Sequence, residues 1–175
     1  AFVLELDYQF YEDGSNFEAS VPYHLLSAEL VFTVANLIKD NISEKVYLKL
    51  NKIAAFTISH MHSRYLPRIG DNDSGVLLKI FPMIHSHFNL FYELNKFISN
   101  DRKLIDAKTI YKLIEEKRRE NVHDAPDFGL IKFNKKDFEL SLSYTQIGQN
   151  GKGGHDNNDR SSFVLSINSN PIIID

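Results

Sequence analysis

Two polar clusters contain the side chains best suited to proton transfer. Residues 153–159 read Gly-Gly-His-Asp-Asn-Asn-Asp and lie between two runs of alternating apolar and polar residues. Glycine adopts backbone angles that other residues avoid, and polar groups on a loop held by a sheet are well placed for chemistry. The second cluster, residues 13–18, precedes Tyr23 and His24. Imidazole and phenol groups both serve in general acid–base catalysis, so the pattern suggests an active site in two parts.

Length and composition narrow the function classes. The 175 residues suffice for one ordinary domain with a sizeable core. Lys and Arg number 20 against 23 Asp and Glu, which gives a net charge of -3 and predicts no nucleic-acid partner. The absence of cysteine excludes disulfides, thiolate catalysis and Cys-ligated zinc. No apolar run reaches the ~18 residues of a membrane span.

The elements that position these clusters differ between the two halves of the chain. Helical spacing of apolar residues extends from residue 20 to about residue 120. Ser20 is a predicted N-cap with Pro22 in the first turn, and Ser43, Ser86 and Asp106 are predicted to cap three further helices. The apolar positions of the first two helices are Leu26, Leu30, Val34, Leu37 and Ile38, then Val46, Leu50, Ile53 and Met61. The first half is therefore predicted to be a stack of amphipathic helices.

After Pro126 the period of the pattern changes to two. Phe138 to Thr145 and Phe163 to Asn168 alternate between apolar and polar residues, which predicts antiparallel strands with one buried face. Residues 134–137 are a predicted hairpin turn, and residues 115–127 are read as a solvated helix end and a linker. The chain starts at Ala1 and stops directly after a β-like run, so we expect it to be an internal piece of a longer protein.

Three segments carry a resemblance to a known family. Residues 12–24, residues 67–75 and residues 151–163, which contain a Gly-His-x-x-Asn-Asp core, resemble the heparinase II/III-like polysaccharide lyases. The resemblance covers essentially the whole chain and implies an α+β fold. Residues 1–120 would be the end of an incomplete α/α toroid, and residues 121–175 a linker and the start of an antiparallel β-sandwich. It also implies a periplasmic or secreted protein that binds an acidic polysaccharide.

The activity implied by the resemblance is cleavage of uronic-acid-containing polysaccharides by β-elimination. A base removes the proton α to the uronate carboxylate, and an acid protonates the departing oxygen. Tyr23 matches the family's catalytic tyrosine and His155 its catalytic histidine; the stereochemistry of the uronate decides which is base and which is acid. On residue type alone, Tyr23 could be a packing residue and His155 a loop residue bonded to the backbone.

The resemblance places further residues on the rim of a substrate cleft. The candidate substrate-binding residues are Glu18, His24, Arg68, Asp71, Asn72 and Asp73. Arg68 could pair with a substrate carboxylate or sulfate, and a surface ion pair is the alternative. Capping and turn roles explain Glu18 equally well, and a position on the helix surface explains His24.

The resemblance implies no required cofactor. Some family members hold zinc through a second histidine two residues after the catalytic one and through an aspartate that ends a later strand. Here Asn157 occupies the first position and Asp175 fits the second, which disfavours zinc and leaves an oxygen-rich calcium site as the alternative. His60 and His62 are predicted to point apart on one helix and so cannot share a metal.

Two rival functions remain beside the lyase interpretation. The family also uses an asparagine from an earlier helix, which would precede Ala1, so we expect the isolated chain to be inactive. A non-catalytic carbohydrate-binding or capsule-associated protein on the same fold is the main alternative. A glycoside hydrolase would need two carboxylates across the cleft, and the spacing of Glu18, Asp71 and Asp73 does not demand this.

Overall fold

The computed structural model describes residues 1–60, 62, 66–72, 122–155 and 159–174. Helices lie in the first half of this part of the chain and a five-stranded antiparallel sheet in the second, which confirms the predicted α+β class. The helices are α1 (Phe2–Gln9), α2 (Val21–Leu37) and α3 (Glu44–His60), with a 3-10 turn at Lys39–Asn41 and a four-residue helical turn at Gly148–Gly151 in the second half. The strands are β1 (Val122–Ala125), β2 (Leu130–Asn134), β3 (Phe138–Ser143), β4 (Phe163–Ile167) and β5 (Asn170–Ile173). The helices predicted to begin at Ser86 and Asp106 lie outside the described residues.

Helix α2 begins where the sequence predicts, but it buries a different face. The Ser20 side chain caps the helix by accepting a hydrogen bond from the backbone amide of Tyr23. Leu30 and Leu37, which belong to the predicted buried stripe, are 45% and 77% exposed, whereas Ala28 and Phe32 are fully buried. The helix is apolar on nearly every side, so spacing alone did not identify the face that packs.

Helix α3 agrees more closely with its pattern. It begins directly after Ser43, and Val46, Leu50 and Ile53 are buried as predicted. Helix α1 was not predicted, because only Leu6 among its eight residues is buried and its apolar pattern is correspondingly weak.

Two clusters of buried apolar residues hold the described part together. The first packs the three helices against one another and contains Leu6, Phe10, Ala28, Val31, Phe32, Ala35, Val46, Tyr47, Leu50, Ile53 and Ala54. The second joins helices, sheet and the segment 66–69 through Val21, Phe56, Leu66, Ile69, Ala125, Phe128, Leu130 and Val164. The second cluster fixes the sheet relative to the start of α2, which is where Tyr23 lies.

The sheet is a meander in which each strand pairs with the next one in the sequence. The predicted hairpin turn between β2 and β3 is confirmed. The interpretation of residues 122–125 as linker is wrong, because Val122 pairs with Phe133 and Ala125 with Leu130. Strand β1 is only four residues long and includes His123 and Asp124, so its polar composition hid the alternation.

One face of this sheet is buried and carries mainly polar side chains. Ser141, Ser166 and Lys132 are all almost fully buried, whereas Phe138 and Phe163 on the opposite face keep about two-fifths of their surface exposed. Hydrogen bonds link several of these buried polar groups: the two ring nitrogens of His62 lie 2.8 Å from the hydroxyls of Ser166 and Ser141. Lys132 forms an ion pair of 3.0 Å with Glu139. Hydrogen bonds and an ion pair thus accompany the apolar burial of Ala125, Leu130 and Val164 on this face.

Candidate active site

Tyr23 lies in the first turn of α2, and the chain around it explains this position. Ser20 is the N-cap residue and has an extended backbone. Pro22 lies in the first helical turn, where its missing amide hydrogen costs no hydrogen bond. The amide of Val21 donates to the carbonyl of Ile69 at 2.8 Å, which ties the start of the helix to the segment 66–72. The half-buried Tyr23 side chain therefore projects from a rigid helix start.

His155 lies on a loop that packs tightly against the backbone of Glu18. The amide of His155 donates to the carbonyl oxygen of Glu18 at 3.1 Å. A Cβ atom at Gly148 or Gly154 would lie 2.7 Å or 2.9 Å from the same oxygen, closer than real Cβ atoms approach. Glycine is required at both positions because the loop and Glu18 are in direct contact. The glycines thus serve close packing here, while Gly153 has a positive φ in open space.

The structure brings Tyr23 and His155 into direct contact. Their ring centroids are 3.6 Å apart and the ring planes differ by 7°, so the rings are stacked. Residues from the helical half and from the sheet half, far apart in the sequence, thus form one pair. The His155 side chain keeps 32% of its surface exposed, which leaves it accessible to a ligand.

Two carboxylates flank the imidazole of His155. Asp71 Oδ2 lies 3.1 Å from Nδ1, and Glu18 Oε2 lies 3.9 Å from Nε2. Glu18 is itself held in place, since the Gln149 side-chain amide donates to both of its carboxylate oxygens at 2.9 and 3.0 Å. The imidazole is therefore fixed in orientation and lies in an acidic environment.

Gln149 was not identified from the sequence. It belongs to a four-residue helical turn, Gly148–Gly151, in which Gln149 and Asn150 both have left-handed backbone angles. Such angles cost non-glycine residues roughly 1–2 kcal/mol each. The amide of Gln149 donates to the carbonyl of Phe17 at 2.7 Å, and this contact helps hold the strained turn. A loop rich in glycine and asparagine was the one available signal, and it does not identify Gln149 as the contact of Glu18.

His24 is the one candidate whose predicted role requires correction. Its side chain is fully buried between Phe10 and Phe56, and its Nε2 lies 2.8 Å from the hydroxyl of Thr57. Burial lowers the pKa of His24 to about 3, and the nearby His60 contributes to the lowering. A neutral imidazole in the core cannot contact a saccharide, so His24 is a packing residue.

The remaining candidates are distributed unevenly. Arg68 and Asn72 have exposed side chains on either side of Gly70 and Asp71. Asp73, Asn157 and Asp175 lie outside the described residues. Among the residues that the structure does describe, no group of three or more His, Asp or Glu side chains could hold a metal ion. His60 ends helix α3 and His62 follows it, and His62 instead contacts the serines of the sheet.

Solved structures with the same fold identify the fold class of this chain. No protein-family model and no curated protein matches the sequence. Three solved structures share its fold, and all of them are heparinase III-type polysaccharide lyases. The predicted resemblance is therefore confirmed for the fold.

The structures of heparan sulfate lyase HepC from Pedobacter heparinus and of a mutant of this enzyme each superimpose on this chain with a TM-score of 0.64 and 19% sequence identity. A heparinase III with methylated lysines superimposes with a TM-score of 0.68 at 16% identity. The matches cover 97% of this chain and 26% of each matched chain, so the chain spans about a quarter of their length. Within the described helices, none is long and apolar enough to cross a membrane.

Proposed function

We propose that this chain is part of a polysaccharide lyase that cleaves an acidic polysaccharide by β-elimination, with Tyr23 and His155 as the proton-transfer pair. The observation that carries the proposal is the stacking of these two rings at 3.6 Å across the junction of helices and sheet. Two titratable side chains in contact can serve opposite ends of one reaction, since one removes the α-proton while the other protonates the leaving oxygen. The heparinase-like fold supports the same reaction class.

The surroundings of the pair fit this chemistry. Tyr23 is fixed by a capped helix start and His155 by two carboxylates, so both reacting groups are preorganised before a substrate binds. The exposed Arg68 side chain lies two residues before Gly70, which contacts the His155 loop. We propose that Arg68 pairs with a carboxylate or sulfate of the substrate, since guanidinium groups bind such anions in a bidentate manner.

The proposal assigns no step to a metal ion. Tyr23 and His155 supply both proton transfers, and the uronate carboxylate itself stabilises the carbanion-like state when a cationic or polar group offsets its charge. Removal of divalent metals with a chelator should therefore leave the lyase rate unchanged. Loss of activity on chelation would require a metal-dependent mechanism instead.

Lyase activity of the full-length protein tests the proposal. Incubation with heparan sulfate, other glycosaminoglycans or alginate should release 4,5-unsaturated uronides, which appear as new ultraviolet absorbance. The variants Tyr23→Phe and His155→Ala should each lower kcat roughly 10²–10⁴-fold, the usual contribution of a general acid or base. Tyr8→Phe is a matched control, because Tyr8 is exposed and removal of its hydroxyl should leave the rate unchanged.

The outcome also separates the main alternative. Saccharide binding that survives in Tyr23→Phe and His155→Ala, together with no activity of the wild-type protein on any of these substrates, would support a non-catalytic carbohydrate-binding protein. Activity that is unaffected by either substitution would remove the proton-transfer pair from the mechanism.

A further inference from the structure

Asp71 is bound to the His155 loop and to the start of α2 through three separate groups. Its carboxylate lies 3.1 Å from His155 Nδ1. Its amide donates to the carbonyl of His155 at 2.6 Å, and its own carbonyl accepts a hydrogen bond of 2.8 Å from the hydroxyl of Ser20. Side chain and backbone together give Asp71 a fixed position relative to the imidazole.

The Ser20 hydroxyl connects this arrangement to Tyr23. It donates to Asp71 and accepts from the amide of Tyr23 at 3.2 Å. One buried side chain therefore sets both the helix turn that bears Tyr23 and the residue that contacts His155. Gly70 allows this approach, because a Cβ atom there would lie 2.6 Å from Ser20 Cβ and 2.7 Å from the His155 carbonyl oxygen.

The chemistry of the contact decides where the imidazole proton lies. An ionised carboxylate only accepts hydrogen bonds, so a bond between Asp71 and Nδ1 requires the proton on Nδ1. In the neutral ring this leaves Nε2 without a proton and able to accept one. Glu18 Oε2, at 3.9 Å from Nε2, is beyond hydrogen-bond distance and does not reverse this assignment.

We propose that Asp71 is a positioning residue that holds His155 in the Nδ1–H tautomer, so that Nε2 is the atom that exchanges a proton with the substrate. The proposal rests on the proposed function of His155. It gives Asp71 a different role from the substrate binding expected from the sequence. The value of the contact lies in the tautomer and ring orientation that it imposes, since a partly exposed ion pair contributes little to stability.

The tautomer can be measured directly. Long-range ¹H–¹⁵N correlation spectra of the ¹⁵N-labelled protein at pH 8.5, where an ordinary imidazole is neutral, distinguish Nδ1–H from Nε2–H. His155 should show Nδ1–H as its major form in the wild-type protein, and His155→Ala identifies its signals. Asp71→Ala keeps both backbone hydrogen bonds of residue 71 and should make Nδ1–H a minor form. Asp137→Ala, which removes an exposed carboxylate from the turn between β2 and β3, should leave the His155 spectrum unchanged.

Activity gives a second readout with a separate mode of failure. In the full-length protein, Asp71→Ala should lower kcat roughly a hundredfold, the scale expected for a misplaced reacting group, with little change in KM. A wild-type His155 that is mainly Nε2–H, or an unchanged tautomer in Asp71→Ala, would overturn the positioning role even if the protein is an active lyase. A wild-type protein without lyase activity would overturn the proposed function, while the spectra still decide whether Asp71 sets the tautomer.

Discussion

The helical layer and the sheet differ in the share of polar side chains that they bury, which is larger in the sheet. The core of the helices is apolar, with Leu50 and Ile53 fully buried against Phe32. The buried face of the sheet instead carries Lys132 and Ser141, whose polar groups are paired. Burial of apolar surface is the main stabilising contribution in the first layer, while the second also depends on buried hydrogen bonds and an ion pair. The candidate active site lies where the two layers meet and is held mainly by backbone contacts between loops.

The largest loss of stability is expected from a cavity in the helical layer. Leu50→Ala removes a fully buried side chain between the helices and should lower the free energy of unfolding by about 2–5 kcal/mol. Leu48→Ala on the same helix is the matched control, because Leu48 is 58% exposed and should change stability by less than about 0.5 kcal/mol. Urea unfolding followed by circular dichroism measures both. Equal effects at the two positions would show that the helices do not pack as described.

The sheet should respond differently, since its buried ion pair stabilises only as a complete unit. Lys132→Met leaves the largely buried Glu139 carboxylate without its cation and should lower the free energy of unfolding by about 3 kcal/mol. Adding Glu139→Leu removes the unpaired charge, and the double variant should regain most of this loss. If the double variant is no more stable than Lys132→Met alone, the polar face is not held by this pair.

The sequence predicted the elements of this fold better than the faces that they bury. Ser20 marked the start of α2 because capping is a local property of the chain, and α3 begins directly after the predicted cap Ser43. The buried face of α2 depends on which neighbours pack against it. Because apolar residues lie on nearly every side of this helix, its sequence does not identify the buried face. Strand β1 was missed for a related reason, since only its partner β2 makes its four residues recognisable as a strand.

The same distinction applies to the site. Tyr23 and His155 were predicted from motifs that resemble a lyase family. Their ring contact depends on the tertiary structure and cannot be derived from their spacing in the sequence. The contacts of Gln149 with Glu18 and of Asp71 with His155 were not predicted, because each joins residues that are distant in the chain. His24 directly follows Tyr23, yet successive helical residues face different directions, and His24 faces the core.

Substitution of Gly70 should have a moderate effect on stability, because the backbone of this residue lies close to Ser20 and to the His155 carbonyl oxygen. Gly70→Ala places a Cβ atom against Ser20 and the His155 carbonyl, which should cost about 1–3 kcal/mol of overpacking beyond any backbone strain. Gly151→Ala is a matched control: its φ of +86° nearly equals the +84° of Gly70, but no atom lies within 4 Å of the added Cβ. The difference between the two variants in thermal or urea unfolding isolates the steric term. No difference would mean that segment 66–72 and the His155 loop are not in contact.

The smallest expected effect is on the pH dependence of unfolding, to which the buried His62 of the sheet layer contributes. Burial, with a further contribution from Lys132, lowers the pKa of His62 to about 4, whereas an unfolded histidine titrates near ~6.5. Because the folded pKa is the lower one, the unfolded chain binds more protons between these values, and stability present above pH 6.5 is lost as the pH falls toward 4. Each such histidine adds a slope of at most about 1.4 kcal/mol per pH unit.

His62→Gln should therefore flatten the pH dependence of unfolding between pH 6.5 and 4. His24 and His60, whose pKa values are lowered by burial to about 3 and about 4, keep their share of the slope in the variant. The glutamine side chain can still bond Ser141 or Ser166, so the change should appear as a lower slope in urea unfolding measured at several pH values. An unchanged slope would mean that His62 is already protonated in the folded protein. The buried face of the sheet would then hold a second cation beside Lys132, and the hydroxyl oxygens of Ser166 and Ser141 would both accept hydrogen bonds from the charged ring.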